Sequence, residues 1–223
     1  MSADPGTGDG GERTAPPSDR TRLRRKPSRG RYGRATIDAI LDAAIVGYVG
    51  WVRAGQPYVT PVNVWRAGDR LLWHASVGSG MGTELDGQPV CVTVSHVDSL
   101  VLARSATNHS LDYRSVMALG TAHRLTADDE IDAALEGLVE SLFPGRWAGL
   151  RPMTDAERRA TAVLWIDLSE ASAKVRDSGL IEDPGDETWP AWGGVIPVRM
   201  VRGQPEPDGF VPDGMAAPEA RLP

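Results

Sequence analysis

A single cysteine, Cys91, stands in 223 residues, so no disulfide can form within the chain and stability must come from packing. That cysteine usage suits a reducing compartment. Within the apolar run Val90–Val94, Cys91 reads as a small buried hydrophobe rather than a nucleophile. No apolar stretch approaches the roughly eighteen residues a membrane-spanning helix needs, and the N-terminus carries no apolar segment of signal-peptide type. The expectation is a cytoplasmic protein. The four histidines, His74, His96, His109 and His123, are scattered, and neither H-x-x-x-H nor C-x-x-C occurs, so no metal site is expected. The Gly-rich run Gly78-Ser79-Gly80-Met81-Gly82 lacks the Lys-Ser/Thr of a P-loop, and the Rossmann fingerprint is absent. There is no G-x-S-x-G nucleophile elbow. A triad written from Ser105 or Ser110 with His109 and Asp112 draws all its members from one short stretch, unlike triads built from distant segments. Hydrolase chemistry is therefore set aside.

What is present is a chain of 41% hydrophobic residues, enough for a real core. Many of its 25 glycines and 17 prolines lie towards the ends. The net charge of −6 is unevenly spread: residues 1–34 hold nine Lys/Arg against four Asp/Glu, and the remainder is acidic. A basic arm is one of the features that nucleic acid or anionic lipid recognises. Here it lacks apolar residues and reads as a solvated, disordered tail, with nucleic acid an unlikely partner. Residues 201–223 read as a second disordered tail, leaving one domain over 35–200.

Within that domain Ile37, Ile40, Leu41 and Ala44 mark one face of a helix over Thr36–Ala44, with Thr36 as its cap. Strand signals follow at Ile45–Arg53, Pro57–Arg66 and Arg70–Ser76, the last two joined by a hairpin-length Ala-Gly-Asp turn. Pro89–Val97 and Leu100–Ser105 read as two strands around a tight Asp98-Ser99 link, and Tyr113–Leu125 as the next. Asp128–Leu142 is the clearest helix, with Thr126 and Asp129 as a candidate capping box and Pro144-Gly145 as its stop. Thr154 and Glu157 cap a second helix at Asp155–Ala160, before strands at Ala162–Leu168 and Ala173–Arg176. Short links between consecutive strands require antiparallel pairing. The fold class expected is mainly β with helices (α+β), a six-stranded antiparallel barrel with few exposed edges.

The polar residues worth attention cluster in two places. Tyr113, Arg114 and Ser115 open a strand after a polar segment with Asn108, His109, Ser110 and Asp112. Neighbours on a strand point to opposite faces, so if Ser115 and Tyr113 meet a ligand, Arg114 is an ion-pair or subunit-contact residue. His74 closes the strand Leu71–Ser76 where polarity changes abruptly; water or backbone would also satisfy such a histidine. Trp189 and Trp192 lie in an irregular segment, either as a lid on a flat ligand or as a clamp on the core.

These blocks, in order, resemble the pyridoxamine 5′-phosphate oxidase-like, FMN-binding split-barrel proteins, in particular the branch of flavin-nucleotide-binding proteins related to nitroimidazole reductases. The matching blocks are Arg31-Tyr32-Gly33-Arg34, Gln56-Pro57-Tyr58-Val59-Thr60-Pro61, Leu72-Trp73-His74-Ala75-Ser76, Val90–Val94, Leu100–Ala106, His109-Ser110 and Tyr113–Val116. Pro144-Gly145-Arg146-Trp147, Ala160–Leu164, Glu170–Arg176 and Trp192-Gly193-Gly194-Val195 continue the match, which spans about residues 31–198. The resemblance implies a split barrel that forms a homodimer with FMN between subunits. It implies that Tyr58, Val59, Thr60, Pro61, Val62 and Asn63 back the flavin ring through main-chain atoms. His74, Ala75, Ser76, Ser79, Gly80 and Met81 would then lie along the ribityl chain and phosphate. Ser115 would reach the ring, as would Trp192 from the partner chain. The implied activity is FMN-dependent oxidation or reduction of a small organic substrate, with NAD(P)H as a possible donor and His74 as the candidate catalytic proton donor. The alternatives are a non-catalytic flavin binder and a relative that holds haem, through His74 or His109, or F420. One position departs from the family pattern: where an arginine is expected the chain has Gly80, and an acid, Glu84, follows. Glycine amides, Arg104 or an arginine of the partner chain are the expected substitutes for that charge.

Overall fold

The structure is a computed structural model that describes residues 14–212 and 214–221. It contains strands β1 (Gly30–Arg31), β2 (Val46–Arg53), β3 (Gln56–Ala67), β4 (Arg70–Ser76), β5 (Pro89–Leu102), β6 (Ser110–Thr121), β7 (His123–Arg124), β8 (Thr161–Asp167), β9 (Ala171–Arg176) and β10 (Gly194–Pro197). The helices are α1 (Arg34–Asp42), α2 (Gly80–Glu84), α3 (Asp128–Leu142) and α4 (Asp155–Ala160). Every pairing is antiparallel, in the order β1-β9-β6-β5-β2-β3-β4-β8-β7, with β10 added to β5. This ladder is an open path, but its last strand β7 continues β6 across the buried Ala122. The sheet therefore curls round on itself, and β2, β3, β4, β5, β6–β7 and β8 form the six walls of a split barrel. The expected class holds, with three further strands, β1, β9 and β10, around it.

Strand parity fills the barrel. Val49, Trp51, Val64, Leu71, Trp73, Val90, Val92, Val94, Val116, Ala118, Leu164 and Ile166 form the central core, and α1 closes one end with Ile37, Ile40 and Leu41. Burying each of the larger of these contributes about 1.5–3 kcal/mol. The opposite parity of β3, β4 and β8 brings Trp65, Leu72 and Val163 to the outside, where α3 covers them with Ile131 and Ala134. The bounds of α3 and α4 are those expected, and the Thr154–Glu157 capping box is formed. Helix α3 starts instead from Ala127 and α1 from Gly33, without side-chain caps. Thr36 and Thr126 do not serve as their caps.

Three expectations change. Asp98-Ser99 is no link between strands: β5 runs through it with a bulge, where Asp98 is the extra residue and its carboxylate receives Arg114 Nε and Nη2. Arg114 is thus an ion-pair residue, one of the two roles that strand parity left open for it. Cys91 is only half-buried, because its neighbours Val90 and Val92 take the inward positions. Residues 14–34, expected as part of a solvated arm, lie against the barrel in the described structure. Thr21 is buried, Leu23 N donates to Tyr32 Oη, Ser18 Oγ donates to Glu170, and β1 pairs with β9. Composition alone did not reveal these local polar contacts. The described part of 201–221 is irregular and returns to the helical side through Arg221 N donating to Leu142 O, 2.7 Å. Residues 1–13 lie outside the described residues. No helix among the described residues is long and apolar enough to cross a membrane.

Candidate functional site

The hairpin β3–β4 is laddered only at its closed end, where Val64 pairs with Trp73, Trp65 with Leu72, Arg66 with Leu71 and Ala67 with Arg70. One more step in this register would pair Asn63 with His74, but the ladder stops there. Beyond the fork, β4 continues against β8 alone through His74, Ala75 and Ser76, and residues 56–63 continue against β2 alone. The parted strands leave a cleft. One wall is the unpaired edge of β3, and the other is the end of β4 with the loop into α2.

Two prolines decide which backbone groups face that cleft. Proline has no N–H and is admitted to a strand where its nitrogen turns away from a ladder. In antiparallel strands this direction alternates from residue to residue. Residues 57, 59, 61 and 63 therefore present their backbone groups to the open edge, and Val59 and Asn63 supply its amide donors. The missing donors at Pro57 and Pro61 also make the edge a poor template for strand-on-strand association. Among the side chains, Tyr58 stacks on Trp51 at 5.1 Å, Val62 packs on the core, and Val59 is 68% exposed. Thr60 is half-buried, Pro61 is exposed, and Asn63 Nδ2 donates to Ile45 O.

His74 sits at the fork with its ring centroid 6.3 Å from that of Trp65, on the face towards α3. Its Nδ1 is buried without a hydrogen-bond partner, as is Trp65 Nε1. Burial pushes the imidazole below its usual pKa, which favours the neutral ring. A neutral ring with an unengaged nitrogen can accept a hydrogen bond or bind a metal. It is a weak store for a proton.

Across the cleft the loop is tightly self-bonded. Ser79 Oγ donates to Ser76 O and accepts from Gly82 N, and Gly78 N donates to Ser76 Oγ. The one hydroxyl proton of Ser79 is therefore spent inside the turn. Met81 points into the core and Ala75 packs against it, so both reach the cleft through backbone only. Gly82 has no room for a side chain, because a Cβ would run into the Ser76 carbonyl. A Cβ added at Gly80 would stand 3.2 Å from the ring edge of Trp51 and 3.3 Å from the guanidinium of Arg53. Arg53 Nη2 is paired with Glu84 at 2.9 Å. Reading the neighbourhood of residue 80 in sequence missed Arg53; the Ala54-Gly55 turn that carries it there was the available signal.

Two expected residues stand apart from the cleft within one chain. Ser115 lies on β6, three strands from β3 in the sheet order, with Oγ donating to Lys174 O. Trp192 is 63% exposed ahead of β10. Arg104, an expected substitute cation, is engaged by Glu182 through both its backbone N–H and Nη1. His109 binds Ser105 O through Nδ1 at the exposed hairpin tip. Among the described residues no group of three His, Cys, Asp or Glu is placed to hold a metal.

A family model described as pyridoxamine 5′-phosphate oxidase matches residues 33–175. The flavocytochrome Anf3 from Azotobacter vinelandii is 41% identical, with a TM-score of 0.88 over 93% of this chain and 99% of that one. The FAD and haem binding protein from Mycobacterium smegmatis is 32% identical, with a TM-score of 0.80 over 85% of this chain and 94% of that one. A candidate 5-nitroimidazole antibiotic resistance protein from Bacteroides thetaiotaomicron, 23% identical over 64% of this chain and 83% of that one with a TM-score of 0.54, shares the fold. A search of curated proteins found no significant match. Taken with the forked barrel, these matches establish that the chain belongs to the pyridoxamine 5′-phosphate oxidase-like family of flavin-binding split-barrel proteins.

Proposed function

We propose that this chain binds a flavin nucleotide in the cleft between β3 and β4 and works as an oxidoreductase on a small organic substrate. The observation that carries the reading is the fork at Asn63 and His74. It leaves an edge of alternating amides and carbonyls that a ring with alternating acceptors and donors can meet. When bound, the flavin supplies the redox chemistry. The residues position it: the Val59 and Asn63 amides would bond the ring edge, and His74 would stand beside it as a neutral hydrogen-bond partner. FMN and FAD share the isoalloxazine, ribityl and first phosphate groups this cleft would hold. The description of the Mycobacterium smegmatis relative makes FAD as strong a candidate as FMN.

The homodimer belongs to the same proposal. Val46, Tyr48, Val52, Val59 and Val97 are exposed on one face of β2, β3 and β5. A second copy on this face would cover them and bring Ser115 and Trp192 towards the cleft. A second reading adds haem, and two observations favour it. Two relatives above 30% identity are a flavocytochrome and an FAD and haem binding protein. In this chain, His74 Nδ1 is a buried atom without a partner beside apolar Trp65. His74 would then be the residue that holds the haem iron, and the haem would supply one-electron chemistry beside the flavin. The absorption spectrum of the purified chain tests both readings. Flavin bands that bleach on anaerobic addition of NADPH support the oxidoreductase, and a Soret band lost in His74→Ala supports the haem site. A colourless protein that takes up neither added flavin nor haemin overturns both.

A further inference from the structure

We infer that Arg53 is the cation that holds the phosphate of the flavin nucleotide; this rests on the flavin reading above. Three observations place it there. A guanidinium nitrogen of Arg53 lies 3.3 Å from where a Cβ of Gly80 would stand, so the space beside position 80 is already lined by this charge. The hairpin turn holds it in place: Ala54 and Gly55 both take positive φ, 49° and 79°, the geometry of a tight two-residue turn that follows the strand twist. Trp51, one turn of the pleat earlier on the same face, packs its ring edge against Gly80 and fixes the spacing between hairpin and loop. The site at residue 80 thus needs both a glycine and an arginine from β2; neither alone makes it.

Glu84 gives the arrangement its second half. It pairs with Nη2 and leaves Nη1, the nitrogen nearest Gly80, without an acidic partner among the described residues. A planar guanidinium can serve a carboxylate on one side and a phosphate on the other. Because phosphate and carboxylate repel, Glu84 should orient Arg53 but weaken the anion's binding. Arg124 touches the loop as well, its Nη1 donating to Gly82 O at 3.4 Å; Arg159 is an exposed cation one residue before Ala160, whose O accepts from Val77 N. It carries no ion pair to orient it and serves as the control.

The test compares FMN with riboflavin, which lacks the phosphate, by fluorescence titration of the full chain freed of copurified flavin. Arg53→Gln should weaken FMN about 10- to 100-fold, the loss of one or two charge-assisted hydrogen bonds, and change riboflavin less than about 2-fold. Glu84→Gln should tighten FMN and leave riboflavin alone. Arg159→Gln should change neither. Riboflavin binding by each variant also reports an intact cleft. An equal loss of both ligands in Arg53→Gln would show a structural hairpin residue and overturn the inference, as would unchanged FMN binding or a loss confined to Arg159→Gln. Wild-type protein that binds riboflavin but gains nothing from the phosphate refutes the inference and leaves the flavin reading standing; wild-type protein that binds neither refutes both.

Discussion

Replacing Asp112 by alanine should cost this protein about 3–5 kcal/mol, the usual result of leaving one member of a buried ion pair uncompensated. Asp112 and Arg176 are 8% and 4% exposed. Arg176 Nη1 donates to Asp112 Oδ1, Gly179 N donates to the same oxygen at 3.3 Å, and Ser99 Oγ donates to Oδ2 at 3.0 Å. One carboxylate thus ties the bulge of β5, the start of β6, the end of β9 and the loop beyond it. Without it, Arg176 keeps Gly179 O as an acceptor at 2.8 Å, but its Nε is already buried without a partner. Its charge would have nothing to balance it. In a chain of this size the loss corresponds to a fall in Tm of roughly 6–20 °C. Asp112→Asn, which keeps one acceptor oxygen for Arg176 and Gly179 and turns the other position into an amide donor from which the Ser99 hydroxyl can accept, should lose less. A joint Asp112→Leu, Arg176→Met replacement should lose far less than the sum of the single changes, because no charge is left buried. Urea unfolding of the full chain followed by tryptophan fluorescence measures all of these. A loss under about 1 kcal/mol in Asp112→Ala, the range of a surface pair, would refute the assignment of a buried, interdependent pair.

Three further outcomes follow from the same geometry. Ala54 is held at φ 49°, so Ala54→Gly should stabilise the chain by about 0.5–1 kcal/mol in the same urea assay. Gly82→Ala would drive a methyl into the Ser76 carbonyl and should cost about 1–3 kcal/mol while weakening flavin binding, measured by unfolding and titration. Burial lowers the pKa of His74 from 6.5. The unfolded chain therefore takes up a proton below pH 6.5 that the folded chain refuses, and stability falls as pH drops from 6.5 towards the lowered value. His74→Gln should flatten this part of the stability–pH curve, as followed by thermal unfolding at a series of pH values.

The barrel was readable because its signals are local. Ile131, Leu135 and Leu138 repeat at helical spacing, and Thr154 with Glu157 spells a cap that forms as written. Alternation in Val90, Val92 and Val94 marks the inward face of β5; it turns Cys91 to the other face, against its reading as a buried residue. The bulge at Asp98 was misread as a turn because a polar Asp-Ser pair looks the same in either setting. Only the partner Arg114, sixteen residues on, distinguishes them. The packing of residues 14–34 depends on polar contacts with β9 and Glu170, which composition cannot show. In the candidate site, the β3 segment and His74 were legible from their blocks. The roles within it were not. Pro57 and Pro61 select the backbone groups that face the cleft, Ser79 spends its hydroxyl on the turn, and Arg53 arrives from a strand twenty-seven positions before Gly80.

A flavin bound as proposed would rest its ring on the open edge of β3. Amide hydrogen exchange of the full chain, with and without saturating FMN, tests this most directly. Slower exchange at the Val59 and Asn63 amides and across the loop of residues 76–84 is the predicted result. FMN that binds while those amides exchange unchanged, with protection elsewhere, would contradict it.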